Sequence, residues 1–166
     1  MALASISMNQ ILEVLKKLGI EYVLQEHPAV FTVDEADPYY KNLKGGKSKN
    51  LFLRNRNKSA YYLAIVEASK RVDLKALGTL LSESKLSFAS PEDLKIILGL
   101  TPGAVSPFGL INDTEKKVNV IIDQDLWKYD RLHYHPNVNT ATVELSRDDF
   151  QKFLDHCGNP VRFVTL

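Results

Sequence analysis

Apolar residues near the start of the chain recur at helical spacing. Met8, Ile11, Leu12, Leu15 and Leu18 fall on one face, with Ser7 placed to cap the helix and Gly19 to end it. The segment 22–27 then reads as a strand. Thr32-Val33-Asp34-Glu35 has the form of a capping box opening a short helix, which Pro38 confines or bends. The clearest β signal follows: two β-rich runs, Leu51-Phe52-Leu53 and the residues 61–66, flank a polar stretch at 55–59 and predict a hairpin. A helix is expected around 73–81. Ser90-Pro91-Glu92-Asp93 sets cap, proline and acids in the order of a helix start, and that helix should stop at Gly99. Residues 101–108 form a loop rich in small side chains. Strands are expected at 118–122, 139–145 and 161–166, with a last helix over 147–156 capped by Ser146 and ended by Gly158.

Strands and helices are interspersed without a regular β-α-β rhythm, and one junction is a hairpin. That order predicts a mixed α+β fold rather than a doubly wound sheet. No repeat, low-complexity tract or linker divides the 166 residues, so one domain over 1–166 is expected. Composition is that of a globular protein, at 45% hydrophobic and 25% charged. No apolar run approaches the roughly 18 residues of a membrane span, and the first residues lack the basic flank and apolar core of a signal peptide. The single Cys157 rules out an internal disulfide and any multi-cysteine metal site. These features point to a cytoplasmic protein without a membrane partner.

The net charge of +1 hides an uneven distribution. Lys41, Lys44, Lys47, Lys49, Arg54, Arg56 and Lys58 form a run with no acidic residue in it. A local patch on a near-neutral protein suits contact with a few phosphates rather than tracking along a duplex, so DNA is not expected as a partner. A solvated hairpin rim is the plain alternative.

Three segments could carry chemistry. Lys49-Asn50 opens the hairpin strand, and alternation puts Lys49 on one face with Leu51 and Leu53. A lysine entering an apolar face needs an anionic partner or must snorkel to the rim. Gly103-Ala104-Val105-Ser106-Pro107 lets backbone approach a ligand, and the N–H groups of Ala104, Val105 and Ser106 could meet one oxygen, as in an oxyanion hole. No Gly-Lys-Ser/Thr follows, so this is not a phosphate-binding P-loop. In Leu132-His133-Tyr134-His135-Pro136-Asn137, the two histidines could share a face and bind metal, yet no third ligand stands near them. Cys157 lies at a helix C-terminus, where the dipole disfavours a thiolate. Ser106 lacks the Gly-x-Ser-x-Gly elbow of a serine hydrolase. His27 and His156 carry no supporting pattern.

Taken together and in order, Lys49-Asn50-Leu51-Phe52-Leu53, then Thr101-Pro102-Gly103-Ala104-Val105-Ser106-Pro107-Phe108-Gly109-Leu110-Ile111-Asn112-Asp113, then His135-Pro136-Asn137-Val138-Asn139-Thr140-Ala141-Thr142 resemble the YbaK/aminoacyl-tRNA-editing family. The resemblance covers nearly the whole chain and is greatest to the free-standing alanyl-tRNA(Pro) deacylase branch, of the ProXp-ala or PrdX type. It implies a mixed, barrel-like β-sheet surrounded by helices, with no metal or organic cofactor. It implies hydrolysis of the ester between alanine and tRNA(Pro), recognised at the acceptor end, with prolyl-tRNA synthetase an open further partner. Lys49, Gly103 and His135 match the family's catalytic positions; Asn50 and the loop residues Ala104, Val105, Ser106 and Pro107 match its substrate-binding ones. One departure stands out: Gly45-Gly46-Lys47-Ser48 precedes Lys49 where a threonine is expected, which bears on loop shape more than on chemistry. Three rivals remain: a deacylase of cysteinyl-tRNA(Pro) or another small residue, a non-catalytic nucleic-acid-binding module using the basic run, and a metal-dependent hydrolase at His133 and His135.

Overall fold

The computed structural model of the chain describes residues 7–29 and 45–166. The helix expected from Thr32 onward therefore lies outside the described residues, as do Lys41 and Lys44. Helix α1, Met8–Lys17, forms as its pattern predicts. The Ser7 hydroxyl accepts from the Gln10 N–H and the Gln10 side chain accepts from the Ser7 N–H, a reciprocal capping box. The other caps are equally local: Asp73 starts α2 (Leu74–Leu80), Ser90 starts α3 (Pro91–Leu98) and Ser146 starts α4 (Arg147–Cys157). Gly99 and Gly158 end α3 and α4 in left-handed conformations.

The strands are β1 (Tyr22–Glu26), β2 (Ser48–Asn55), β3 (Tyr61–Glu67), β4 (Leu86–Phe88), β5 (Val118–Asp123), β6 (Arg131–Tyr134), β7 (Ala141–Ser146) and β8 (Val161–Val164). Short 3-10 helices span Pro107–Asn112 and Gln124–Lys128. One sheet has the order β4-β2-β3-β5-β8, antiparallel through β4, β2 and β3 and parallel from β3 to β8; the other is antiparallel, β1-β7-β6. The fold is thus mixed α+β. The barrel-like sheet expected from the resemblance is realised as two sheets that do not close. Among the described residues one bridge, Gly46 to Leu132, joins them.

Both faces of the larger sheet are covered, by residues that alternate along its strands. Phe52, Leu63, Ile65, Val120 and Ile122 face the main core, where they meet Val143 and Leu145 of the smaller sheet and Phe150 and Phe153 of α4. Aromatic rings lock this layer: Tyr134 stacks on Phe150 at 4.5 Å, and Phe108 meets Phe153 edge-on at 5.1 Å. Leu53, Tyr62, Ala64, Val66 and Ile121 face the other way, against Leu77 of α2. Cys157 is buried in the main core and burial pushes its thiol up to about 12, so it packs rather than reacts.

The two sheets meet along the outer edge of β2. Gly46 donates to the Arg131 carbonyl at 2.8 Å and accepts from the His133 N–H at 3.3 Å, tying the entry to β2 onto β6. Farther along, Ala89 N–H donates to the Phe52 carbonyl, tying β2 to the end of β4. This junction accounts for the Gly45-Gly46 pair, though not for the serine that stands where a threonine is expected before Lys49. Gly45 has φ +101°, and a Cβ there would lie 2.2 Å from the Arg131 carbonyl oxygen; one on Gly46 would lie 2.5 Å from the Tyr129 ring. Gly45→Ala combines a strained φ with a backbone clash and should cost about 2–4 kcal/mol. A urea titration checks this, and an unchanged midpoint would contradict it.

Candidate active site

Alternation in the β2–β3 ladder decides which groups of β2 face outward. Ala68 N–H donates to Lys47 O and Asn55 N–H to Ala60 O, so odd-numbered residues of β2 exchange bonds with β3, and the backbone groups of Asn50 turn to the outer edge. β4 pairs only with residues 53–55 there, and β6 only with Gly46. Asn50 therefore lies in a gap between β6 and β4 that no strand fills among the described residues.

The Gly103 loop comes close to Asn50 here. Thr101-Pro102-Gly103-Ala104 is a turn closed by Ala104 N–H to Thr101 O at 3.1 Å, with proline second and Gly103 third at φ +88°, the arrangement of a type II turn. The turn presents Val105, whose carbonyl accepts from Asn50 Nδ2 at 3.3 Å. The loop ends where Ser106 caps the 3-10 helix, its hydroxyl accepting from Phe108 N–H at 3.2 Å and its side chain fully buried beside buried Pro107. Asn50, Gly103 and Val105 line one pocket of about 190 Å³, with Pro102, Leu94 and Phe88 as apolar walls.

Asn50 is the polar centre of this pocket. Its Oδ1 is buried and has no hydrogen-bond partner. An orphaned buried amide oxygen costs about 1–3 kcal/mol and marks a place where a ligand donor or water is missing. The expected convergence of three loop N–H groups is modified: Ala104 spends its N–H on the turn. The N–H groups of Val105 and Ser106 are in no backbone hydrogen bond among the described residues.

Lys49 and His135 do not line this pocket. Lys49 opposes Val66, on the face of the sheet that α2 covers, as its alternation with Leu51 and Leu53 predicts. Its ammonium donates to the carbonyl of Lys70, in the turn after β3. That turn is anchored because the Lys70 ammonium binds Asp123 at 2.9 Å and Asp125 at 2.6 Å. An ammonium has three donors, so one bond leaves Lys49 able to hold an anion at the rim.

His135 follows β6, which runs parallel to the entry of β2 from the Gly46 bridge, with the Ser48 hydroxyl donating to the His133 carbonyl at 3.4 Å. This brings His135 toward the Lys49-Asn50 end of the gap. Its Nδ1–H donates to the Ala141 carbonyl at 2.9 Å, which leaves Nε2 as the acceptor nitrogen. Burial holds its pKa below the usual range; the Ala141 bond opposes this and His27 adds to it. The His27 ring stands 6.1 Å away, edge-on, its Nδ1 bound to Pro28 O at 2.8 Å and its Nε2 facing Thr142 Oγ1 at 2.9 Å. His27 is the residue the sequence reading passed over. The available signal was a second His-Pro pair, His27-Pro28 beside His135-Pro136. His133 points elsewhere, its Nε2 4.0 Å from Glu144. Among the described residues no three His, Cys, Asp or Glu side chains gather as metal ligands, and no helix is long and apolar enough to cross a membrane.

This architecture belongs to a described class. Residues 27–153 match the model of the aminoacyl-tRNA editing domain, and the chain belongs to that family. It is 39% identical over 152 residues to the prolyl-tRNA editing protein ProX of Acetoanaerobium sticklandii, covering 92% of this chain and 93% of that protein. It is 35% identical to prolyl-tRNA synthetase associated domain-containing protein 1 of Danio rerio, over 86% of this chain and 78% of that one. A crystal structure described as a candidate trans-editing enzyme for prolyl-tRNA synthetase shares the fold, with a TM-score of 0.70, 20% identity and coverage of 98% and 99%.

Two outcomes follow from the geometry. Gly103→Ala forces a side chain into φ +88° and should cost about 1–2 kcal/mol, with Gly103→Asn costing less because asparagine tolerates that region; equal losses in thermal unfolding would contradict the turn assignment. His135 binds a proton less readily folded than unfolded, so its contribution is full above the unfolded value of about 6.5 and is lost as pH falls below it. His135→Gln should flatten the fall in urea midpoint between pH 7.5 and 5.5, and an unchanged slope would contradict the assignment.

Proposed function

We propose that this chain is a trans-editing hydrolase that removes a wrongly attached small amino acid, alanine foremost, from tRNA(Pro). The observation that carries the reading is Asn50, whose buried oxygen has no partner and which lines a small, mostly apolar pocket beside the Gly103 turn, in a chain of the aminoacyl-tRNA editing family. ProX and the synthetase-associated relatives bear names tied to prolyl-tRNA, which supports tRNA(Pro) as the carrier and the synthetase as a working partner.

The physics gives such a protein a task. A synthetase pocket shaped for proline rejects alanine poorly, because each missing methylene is worth only about 1–3 kcal/mol. A second pocket that admits alanine and excludes the proline ring supplies the rest. The walls at Pro102, Leu94 and Phe88 favour a short apolar side chain.

In the mechanism, the ester carbonyl sits where the Val105 and Ser106 N–H groups stabilise its developing oxyanion. Asn50 Oδ1 accepts from the amino acid's ammonium or the ribose, and Nδ2 keeps the loop in place through Val105. Water attacks the carbonyl carbon, helped by the ribose hydroxyl adjacent to the ester. The ester C–O bond breaks, and the proton from water ends on the ribose oxygen of the released tRNA. Lys49 holds a terminal phosphate from the rim. The neutral His135 accepts a hydrogen bond at Nε2 to position the terminal nucleoside or the water. No protein nucleophile and no metal enters this scheme.

Purified protein incubated in EDTA with tRNA(Pro) charged with alanine, cysteine or proline tests this directly. Loss of the alanyl ester alone is expected. Preferential loss of the cysteinyl ester would move the substrate within the family, and no loss from any of the three would sink the reading. Gly103→Val should lower kcat about 100-fold, the scale of a lost oxyanion donor. Lys49→Ala should act mainly on KM, and if both variants kept full activity the mechanism would be wrong.

A further inference from the structure

Two lysines meet at the turn after β3, and the fold treats them differently. The Lys70 ammonium has three acceptors: Asp123 at 2.9 Å, Asp125 at 2.6 Å and the Leu166 carbonyl at 3.0 Å. An ammonium carries three N–H donors, so this one is saturated and has none left for a phosphate. Among the described residues the Lys49 ammonium has one acceptor, the backbone carbonyl of Lys70, and keeps two donors. One lysine is spent on the fold and the other is aimed by it.

The aim is set by a carboxylate that lines no part of the Asn50 pocket. Asp123, fully buried at the end of β5, holds both ends of the turn 67–70. Its Oδ2 accepts from the Glu67 N–H at 3.2 Å and its Oδ1 from the Lys70 ammonium. Between those ends the turn closes on itself, with Lys70 N–H donating to the Glu67 carbonyl at 3.1 Å and Ser69 N–H to the Glu67 carboxylate at 3.2 Å. Ala68 N–H donates to the Lys47 carbonyl, which extends the β2–β3 ladder into the turn and keeps it beside Lys49. The Lys70 carbonyl thus has a set position. A long, flexible side chain loses entropy whenever its ammonium must be placed, and a fixed acceptor places it in advance. A buried ion pair is weak evidence for stability, because desolvation offsets much of its attraction; here its consequence is geometric.

We propose that Lys70, paired with Asp123 and Asp125, is a positioning residue for Lys49. The ion pairs fix the Lys70 carbonyl, and that carbonyl holds the Lys49 ammonium at the rim, where its two remaining donors take a phosphate of the charged 3′ end. The inference rests on the editing reading for the identity of that phosphate. Lys70 touches no substrate, so its effect falls on binding of the tRNA and not on the chemical step.

The first measurement needs no RNA. An ammonium held in a hydrogen bond exchanges its protons slowly enough to give a nitrogen–proton correlation signal in NMR, and the Lys49 signal is identified by its loss in Lys49→Arg. Lys70→Met should shift or broaden that signal, and Lys70→Arg should keep it. The second measurement uses alanyl-tRNA(Pro). In Lys70→Met, KM should rise about fivefold with kcat kept, within the range for groups coupled through one hydrogen-bond network, and in Lys70→Arg it should return to within about twofold of wild type. Combining Lys49→Ala with Lys70→Met should give the KM of Lys49→Ala alone, because the ion pairs then have nothing to position. A Lys49 signal missing from the wild type or unmoved in Lys70→Met, a wild-type KM in Lys70→Met, or two KM effects that multiply when combined would each overturn the proposal. If the protein hydrolysed no charged tRNA, or Lys49→Ala kept the wild-type KM, the editing reading of Lys49 would be at fault and the ammonium signal would decide the positioning alone. Should Lys70→Met not fold, Lys70→Gln takes its place in both measurements.

Discussion

A β-strand has two edges, and the fold turns on how β2 divides one of them. Its inner edge is taken by β3 along the whole hairpin. Its outer edge is shared: Gly46 is tied to β6, and Phe52 onward to β4 and the residue that follows it. Neither partner reaches Asn50. The Gly103 turn comes close to this stretch of β2, fastened by the Asn50–Val105 hydrogen bond. The remaining space is the pocket.

The same division accounts for residues that touch nothing reactive. Gly45 and Gly46 are needed because β2 must pass within van der Waals contact of Arg131 and Tyr129 to reach β6. Asp123 fixes the turn after β3 by accepting from the Glu67 N–H and from Lys70, and so fixes the carbonyl that Lys49 meets. The rigid aromatic layer of Phe108, Tyr134, Phe150 and Phe153 lies directly behind the Gly103 loop and β6. A site held to small tolerances stands on such packed elements rather than on its own loops.

Local features of this fold were legible in the sequence because their physics is local. The hairpin was readable from two β-rich runs around a polar turn, and three helix starts from Ser7, Ser90 and Ser146, whose side chains accept bonds from three residues away. Strands β4 and β6, of three and four residues, are too short to show a period and exist because β2 and β7 offer them edges. Of the site, the Lys49-Asn50 pair, the glycine loop and His135 stood out, but sequence order says little about which share a pocket. Alternation already put Lys49 with Leu51 and Leu53, and hence Asn50 with Phe52 on the other face; the structure keeps that division and makes Asn50, not Lys49, the neighbour of Gly103. The meeting of His27 with His135 could not be read from the sequence, because it depends on β1 pairing with β7, a contact between segments far apart in the chain.

The central claim is that the gap on β2 between β6 and β4 is where the ester is held. The most direct measurement is a crystal structure of the protein with a 3′-alanylamino analogue of the terminal adenosine, whose amide replaces the ester and resists hydrolysis. The account predicts the analogue's carbonyl oxygen within hydrogen-bond distance of the Val105 or Ser106 N–H, and a donor of the analogue on Asn50 Oδ1. A carbonyl bound away from Asn50 and the Gly103 turn, for example against Lys49 on the opposite face of the sheet, would contradict it.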